Sequence, residues 1–120
     1  MSSTYMRRMF KHCASSVNQH IATWNVSSVI KMNEMFSHAT AFDGCIDSWD
    51  VSNVTGMAAM FNNATLFNGN IGDWRVHNVL DMSEMFKHTS SFNRSIGQWV
   101  TFAVACMSSM LSSRLPSIRK

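Results

Sequence analysis

The 120-residue sequence holds a single proline and only five glycines. So few chain-breakers exclude a collagen-like chain and a Pro/Gly-rich disordered one. Charge is also scarce: Asp, Glu, Lys and Arg make up 14% of residues, where about a quarter is usual, and Ser, Thr and Asn must do the solvating. The net charge of +3 is small. Its excess sits at the two ends, in Arg7, Arg8 and Lys11 and in Arg114, Arg119 and Lys120. A nucleic-acid binder carries a clustered basic stripe, so this distribution predicts solvated ends and no nucleic-acid partner. The three cysteines, Cys13, Cys45 and Cys106, form no C-x-x-C pair and no periodic ladder. That argues against a zinc site or a disulfide framework and for small buried thiols. No apolar run approaches the ~18 residues of a membrane span. The first twenty residues carry Arg7, Arg8, Lys11 and His12 with no apolar core segment, so no secretory leader is expected. The chain then reads as intracellular or as an internal piece of a longer secreted protein.

What the sequence does contain is repetition. Its four tryptophans, Trp24, Trp49, Trp74 and Trp99, stand 25 residues apart. Three full copies of one unit occupy 24–48, 49–73 and 74–98, with a partial copy at 1–23 and a degenerate copy and tail at 99–120. In the first copy Phe10 and Val17 are seven apart where later copies have six, which places one inserted residue in a loop. A fixed period of this length marks a single stacked domain, in which each unit buries its apolar face against its neighbours. Within a unit, Val54, Met57, Met60, Phe61 and Ala64 follow helical spacing and predict a helix of two to three turns. Asp81 with Glu84 resembles a capping box at the start of that helix. Ile46, Trp49 and Val51 predict a short strand with Trp49 and Val51 facing inward. The Asp43, Asn68 and Asn93 column is expected to bond backbone amides of the next copy.

The pattern W-x-V-S-x-V-x-x-M-x-x-M-F-x-x-A-T-x-F-N-x-x-I-x-x-W resembles the repeat of the BspA-like surface proteins, over about residues 6–111. The resemblance implies a leucine-rich-repeat-like α/β solenoid, right-handed, of about four to five coils, with one short strand and one short helix per repeat. Val54 stands where such repeats at large have Asn. The resemblance also implies surface adhesion or protein interaction, and with it a cell-surface or secreted location. It brings no catalytic residue.

Other groupings weigh toward structure. Met32/57/82/107, Met35/60/85/110 and Phe36/61/86 are core columns by their spacing. Indole faces can stack on sugars, but the phase of Trp49 with Val51 favours burial over a carbohydrate site. His12, His38 and His88 share a column that Asn63 interrupts, short of the three directed ligands a metal needs. The acidic stretch Asp43–Asp50 lacks the spacing and terminal Glu of a calcium loop. No elbow or paired motif couples Ser, His, Cys and Asp for catalysis, so no enzyme, metal or cofactor is expected. Asn25, Asn53, Asn63 and Asn93 lie in N-x-S/T triplets, which matter only in a secreted eukaryotic setting.

The functional candidate is the face that alternates with Trp and Val. It reads Thr23, Asn25, Ser27; Ser48, Asp50, Ser52; Asp73, Arg75, His77; Gln98, Val100, Phe102. These columns vary while the inward ones hardly change. Asn25, Asp50, Asp73, Arg75, His77 and Phe102 are therefore the expected contacts for a protein partner. The competing expectation is a structural segment that stacks end to end with copies of itself.

Overall fold

The computed structural model describes residues 4–13, 21–101 and 103–105. Its local structure is a succession of tight turns. In the clearest copy the amides of Trp49, Val54, Met60, Asn62, Ala64, Phe67 and Trp74 each close onto the carbonyl three residues back, at 2.9–3.2 Å. A turn brings its first and fourth residues to the same side and projects its two central residues outward. Val51 and Val54, Met57 and Met60, Phe61 and Ala64, and Ile71 and Trp74 are such pairs of turn corners, and all are buried.

The helix expected over 54–64 is not there. Among the described residues the only helical element is one 3-10 turn, Ile21–Thr23. The apolar spacing of three is a turn period here, not a helical stripe. The amides show why. Met57, Ala59, Phe61 and Asn63 donate at 2.8–3.0 Å to the carbonyls of Asp81, Ser83, Met85 and Lys87, one repeat on. Met32, Glu34, Phe36 and His38 do the same to Gly56, Ala58, Met60 and Asn62, as do Met6, Arg8, Phe10 and His12 to Lys31, Asn33, Met35 and Ser37. Alternate amides thus tie copies together while the amides between them close turns. A helix would point its amides along its own axis and leave none for the neighbouring copy. The alternation requires a left-handed residue at two places per copy: Arg8 and His12, Glu34 and His38, Ala59 and Asn63, Glu84 and His88, all at φ 56–64°. The capping box expected at Asp81 is instead an Asx turn: Asp81 Oδ1 accepts from Ser83 N at 2.9 Å and Ser83 Oγ at 2.7 Å, while Glu84 takes a left-handed φ.

The expected strand at 46–51 also moves. Parallel pairing falls on Tyr5, Lys31, Gly56 and Asp81, each bridged to the next. Alongside runs a line of bonds in which Ile30, Thr55, Leu80 and Ala105 donate to Thr4, Ile30, Thr55 and Leu80 at 2.7–2.8 Å. Ile46 to Trp49 is a turn, although Trp49 and Val51 do face inward as expected.

The core is columnar. Phe36, Phe61 and Phe86 stack at 5.7 and 5.8 Å, and Phe42, Phe67 and Phe92 at 5.6 and 5.9 Å. The two files touch at 3.9, 4.0 and 4.4 Å. Trp49, Trp74 and Trp99 donate Nε1–H at 2.8–3.0 Å to the carbonyls of Ile21, Ile46 and Ile71, each three residues before the preceding tryptophan. Burying an indole requires a partner for its N–H, and this bond supplies one for each of these three buried indoles. The Asn column behaves as expected: Asp43 Oδ1 accepts the Asn68 amide at 3.2 Å and Asn68 Oδ1 the Asn93 amide at 2.8 Å. The first copy keeps the register through His12 and regains it at Ile21, so its inserted residue falls between them, largely outside the described residues.

Candidate interaction face

The face after Trp24, Trp49 and Trp74 is built by a Val–x–x–Val turn, and after Trp99 by the Thr101–Val104 turn. The Val–x–x–Val turn buries its valines and turns the residues around them outward. In the second and third copies a side chain fixes its entry. Asn25 Oδ1 accepts from Ser27 N at 3.0 Å and Ser27 Oγ at 2.6 Å, and Asp50 Oδ1 accepts from Ser52 N and Oγ at the same two distances. These bonds hold the Asp50 carboxyl below the ordinary aspartate range. The Ser52 hydroxyl contributes most, then the Ser52 amide, against slight desolvation and with some help from the Arg75 charge. Asn53 and Asn78 donate Nδ2–H to the carbonyls of Ser27 and Ser52 at 2.8 Å, lacing each turn to the one before.

The fourth copy differs. Arg75 and His77 replace the Asx–Ser pair. Among the described residues no hydrogen bond or ion pair engages the side chains of Asp73, Arg75 or His77, and all three are exposed. A groove of about 360 Å³ runs between this copy and the next, walled by Asp73, Arg75, His77, Gln98 and Val100. A second, of about 330 Å³, lies on the other side, walled by Ser48, Asp50, Ser52, Asp73 and Arg75. Asp73 and Arg75 stand in both walls, so one acid and one base form the ridge between two shallow grooves.

A family model described as "Mycoplasma protein of unknown function, DUF285" matches residues 4–117. The chain belongs to this DUF285 family. No curated protein and no solved structure matches it.

In this DUF285 chain, four of the six residues expected as contacts come together: Asp50, Asp73, Arg75 and His77. Asn25 is exposed but lines neither groove, and its side-chain oxygen is committed to Ser27. Phe102 lies outside the described residues, while Val100 beside it is 48% exposed. The indoles present no stacking face to a sugar in the third to fifth copies, where Trp49, Trp74 and Trp99 are 3–4% exposed. His12 and His38 stack at 4.8 Å between ring centres. Among the described residues no three His, Cys, Asp or Glu side chains converge as a metal set, and Cys13 and Cys45 are free thiols. No helix of the described residues is long and apolar enough to cross a membrane.

Sequence reasoning missed a further concavity, at the first two copies. Reading Arg7, Arg8 and Lys11 as a solvated end overlooked that the repeat register sets Arg8 beside Glu34. Aligning the first copy's charges against the columns would have found it.

Proposed function

We propose that this chain is a non-enzymatic protein-interaction module. In this reading it is a leucine-rich-repeat-like, right-handed solenoid of the kind carried by BspA-like surface proteins, with stacked turns in place of the helix. It engages a protein partner through the ridge of Asp73, Arg75 and His77 and the grooves on either side. The observation that carries the reading is the contrast between columns. Inward positions repeat Trp, Val, Met and Phe, while the exposed ones change from Asn25 to Asp50 to Arg75 to Val100. Packing demands uniform shape; a recognition surface does not.

The test is solid-phase binding to a panel of extracellular-matrix proteins, comparing the native chain with D73K/R75E/H77A. The reading predicts saturable binding that the triple variant loses while its melting temperature holds. Binding to no panel member, or binding untouched by the variant, overturns it.

One observation favours the assembly alternative. Trp24 is half-buried where the later indoles are covered, and Phe10 is likewise only partly buried, so the core columns run out toward the surface at the first copy. An end of this kind invites a second chain to stack on it. Sedimentation velocity decides: growth with concentration supports stacking, and a monomer across the range removes it.

A further inference from the structure

The concavity at the first two copies is an open depression of about 650 Å³ lined by Arg7, Arg8, Lys31, Asn33 and Glu34. The repeat register gathers these residues from two copies. Lys31 bridges Tyr5 on one side and Gly56 on the other, and Arg8 donates its amide to Asn33. Gly56 brings no side chain of its own, and its neighbours lean over it. A Cβ there would lie 2.6 Å from Asn33 Oδ1 and 3.0 Å from Lys31 Cδ. A side chain at this position, where the next copy has Asp81, would displace the Asn33 and Lys31 side chains that line the wall.

The charges in the wall do not balance. Glu34 is its one acid, and it is already shared: it accepts from Arg8 Nε at 2.6 Å and Lys11 Nζ at 3.0 Å. Arg8 spends its Nε on that bond, which leaves its terminal N–H groups facing solvent. The Arg7 guanidinium sits 5.1 Å from the Tyr5 ring centre, and a cation–π contact leaves a guanidinium's N–H edge open. No ion pair engages Arg7 or Lys31 among the described residues. Three cations against one doubly committed carboxylate leave a concave surface of net positive charge with donors from several directions.

We propose that this concavity binds a ligand bearing a phosphate or sulfate monoester. Two guanidinium forks and an ammonium suit a tetrahedral group with three terminal oxygens. The volume exceeds a bare anion and accommodates the sugar or side chain that bears it. The site shares no residue with the Asp73–Arg75–His77 ridge, so it stands or falls separately.

The experiment is a titration of the ¹⁵N-labelled chain with sodium sulfate and sodium phosphate, followed by a sulfated disaccharide and a phosphoserine peptide to tell the two sources apart. The proposal predicts saturable shifts centred on Arg7, Arg8, Lys31, Asn33 and Gly56 that weaken as sodium chloride rises. The double variant R7Q/K31Q binds about tenfold more weakly, with the signals of residues 66–79 and 86–98 unmoved, while K87Q binds as the native chain does. If the double variant fails to fold, K31Q alone carries the comparison with a smaller loss. Shifts spread equally over Arg75, Lys87 and Arg94, or native affinity in the folded Lys31 variant, overturn the proposal.

Discussion

Ala59 holds a left-handed backbone at φ 56°, although alanine has no side-chain group to support that conformation. Its amide must reach Ser83 O, and the turn from Ala59 to Asn62 must close, so the conformation is imposed from both sides. For a residue with a Cβ it costs about 1–2 kcal/mol. Glycine removes that cost and adds about 0.4–1 kcal/mol of unfolded-chain entropy. Ala59→Gly should therefore raise stability by about 0.5–1 kcal/mol, and Ala59→Val, β-branched, should lower it. Urea midpoints of the two variants check the ordering; a glycine variant weaker than the native chain counts against the φ assignment. Glu34 carries a pH effect. The Lys11 ammonium contributes most to holding its carboxyl below the ordinary value of 4.5, desolvation opposes it, and Arg8 adds to the lowering. A depressed folded value means that the carboxylate stabilises the fold above pH 4.5, and that this contribution fades as pH falls through the lower, folded value. Stability should drop below about pH 4.5 in the native chain, and Glu34→Gln should show a shallower drop with a lower plateau at neutral pH. Melting temperatures from pH 3 to pH 7 give the test; parallel curves would show that the Arg8–Glu34–Lys11 cluster contributes nothing. Asp50 is lowered too, by Ser52, so some acid sensitivity persists in the Glu34 variant.

At the scale of the element, the turn segment from Met57 to Asn63 settles what the sequence could convey. The inward residues were legible because burial sets their type, whichever backbone carries them: Val54, Met57, Met60, Phe61 and Ala64 are all buried, as expected. The backbone was not legible, because a spacing of three belongs to a helical stripe and to consecutive turns alike. The signal that separates them is a left-handed residue. One such position per copy holds His12, His38, Asn63 and His88, types enriched in that conformation, but the other holds Arg8, Glu34, Ala59 and Glu84, which carry no such signal. The bonds that impose the conformation come from the neighbouring copy, which no local window contains. The same blindness displaced the strand: the ladder through Lys31, Gly56 and Asp81 alternates weakly and pairs one residue at a time. Of the candidate site, the ridge was legible from variation among copies, and the Arg7–Lys31 concavity was not, since it needs two copies superposed. Register also predicts which glycines matter. A Cβ on Gly72 would lie 2.5 Å from the backbone oxygen of Ser95 in the next copy, whereas one on Gly56 meets only the movable ends of Asn33 and Lys31. Gly72→Ala must push two copies apart and should cost about 1–3 kcal/mol. Gly56→Ala should cost well under that, since a side chain swings aside more easily than a backbone shifts. Chemical denaturation of both variants compares them directly, and equal losses would contradict the close approach at Ser95.

For the molecule as a whole, cohesion runs in one direction. Among the described residues the backbone bonds between copies join residues about one repeat apart, and within each Phe file a ring meets only the rings of the adjacent copies. In such an arrangement stability is a sum over neighbouring interfaces, so the position of a lesion matters as much as its size. Phe61 sits midway, with Phe36 at 5.7 Å, Phe86 at 5.8 Å and Phe67 at 4.0 Å. Removing its ring opens a cavity on both faces of the central copy and should cost about 3–5 kcal/mol, a large part of the roughly 5–15 kcal/mol that holds a domain together. Phe10 makes a comparable stack on Phe36 at 5.4 Å, but it lies at the end of its file and is only partly buried. Phe10→Ala should therefore cost markedly less and leave the later copies intact. Phe61→Ala should also broaden the transition, because the copies on either side lose the interface that makes them melt together. Urea unfolding followed by tryptophan fluorescence reports on both, since the indoles stand in successive copies. If the two variants lose equal stability and both keep a sharp transition, the copies melt as one undivided core, and interface-by-interface addition does not describe this chain.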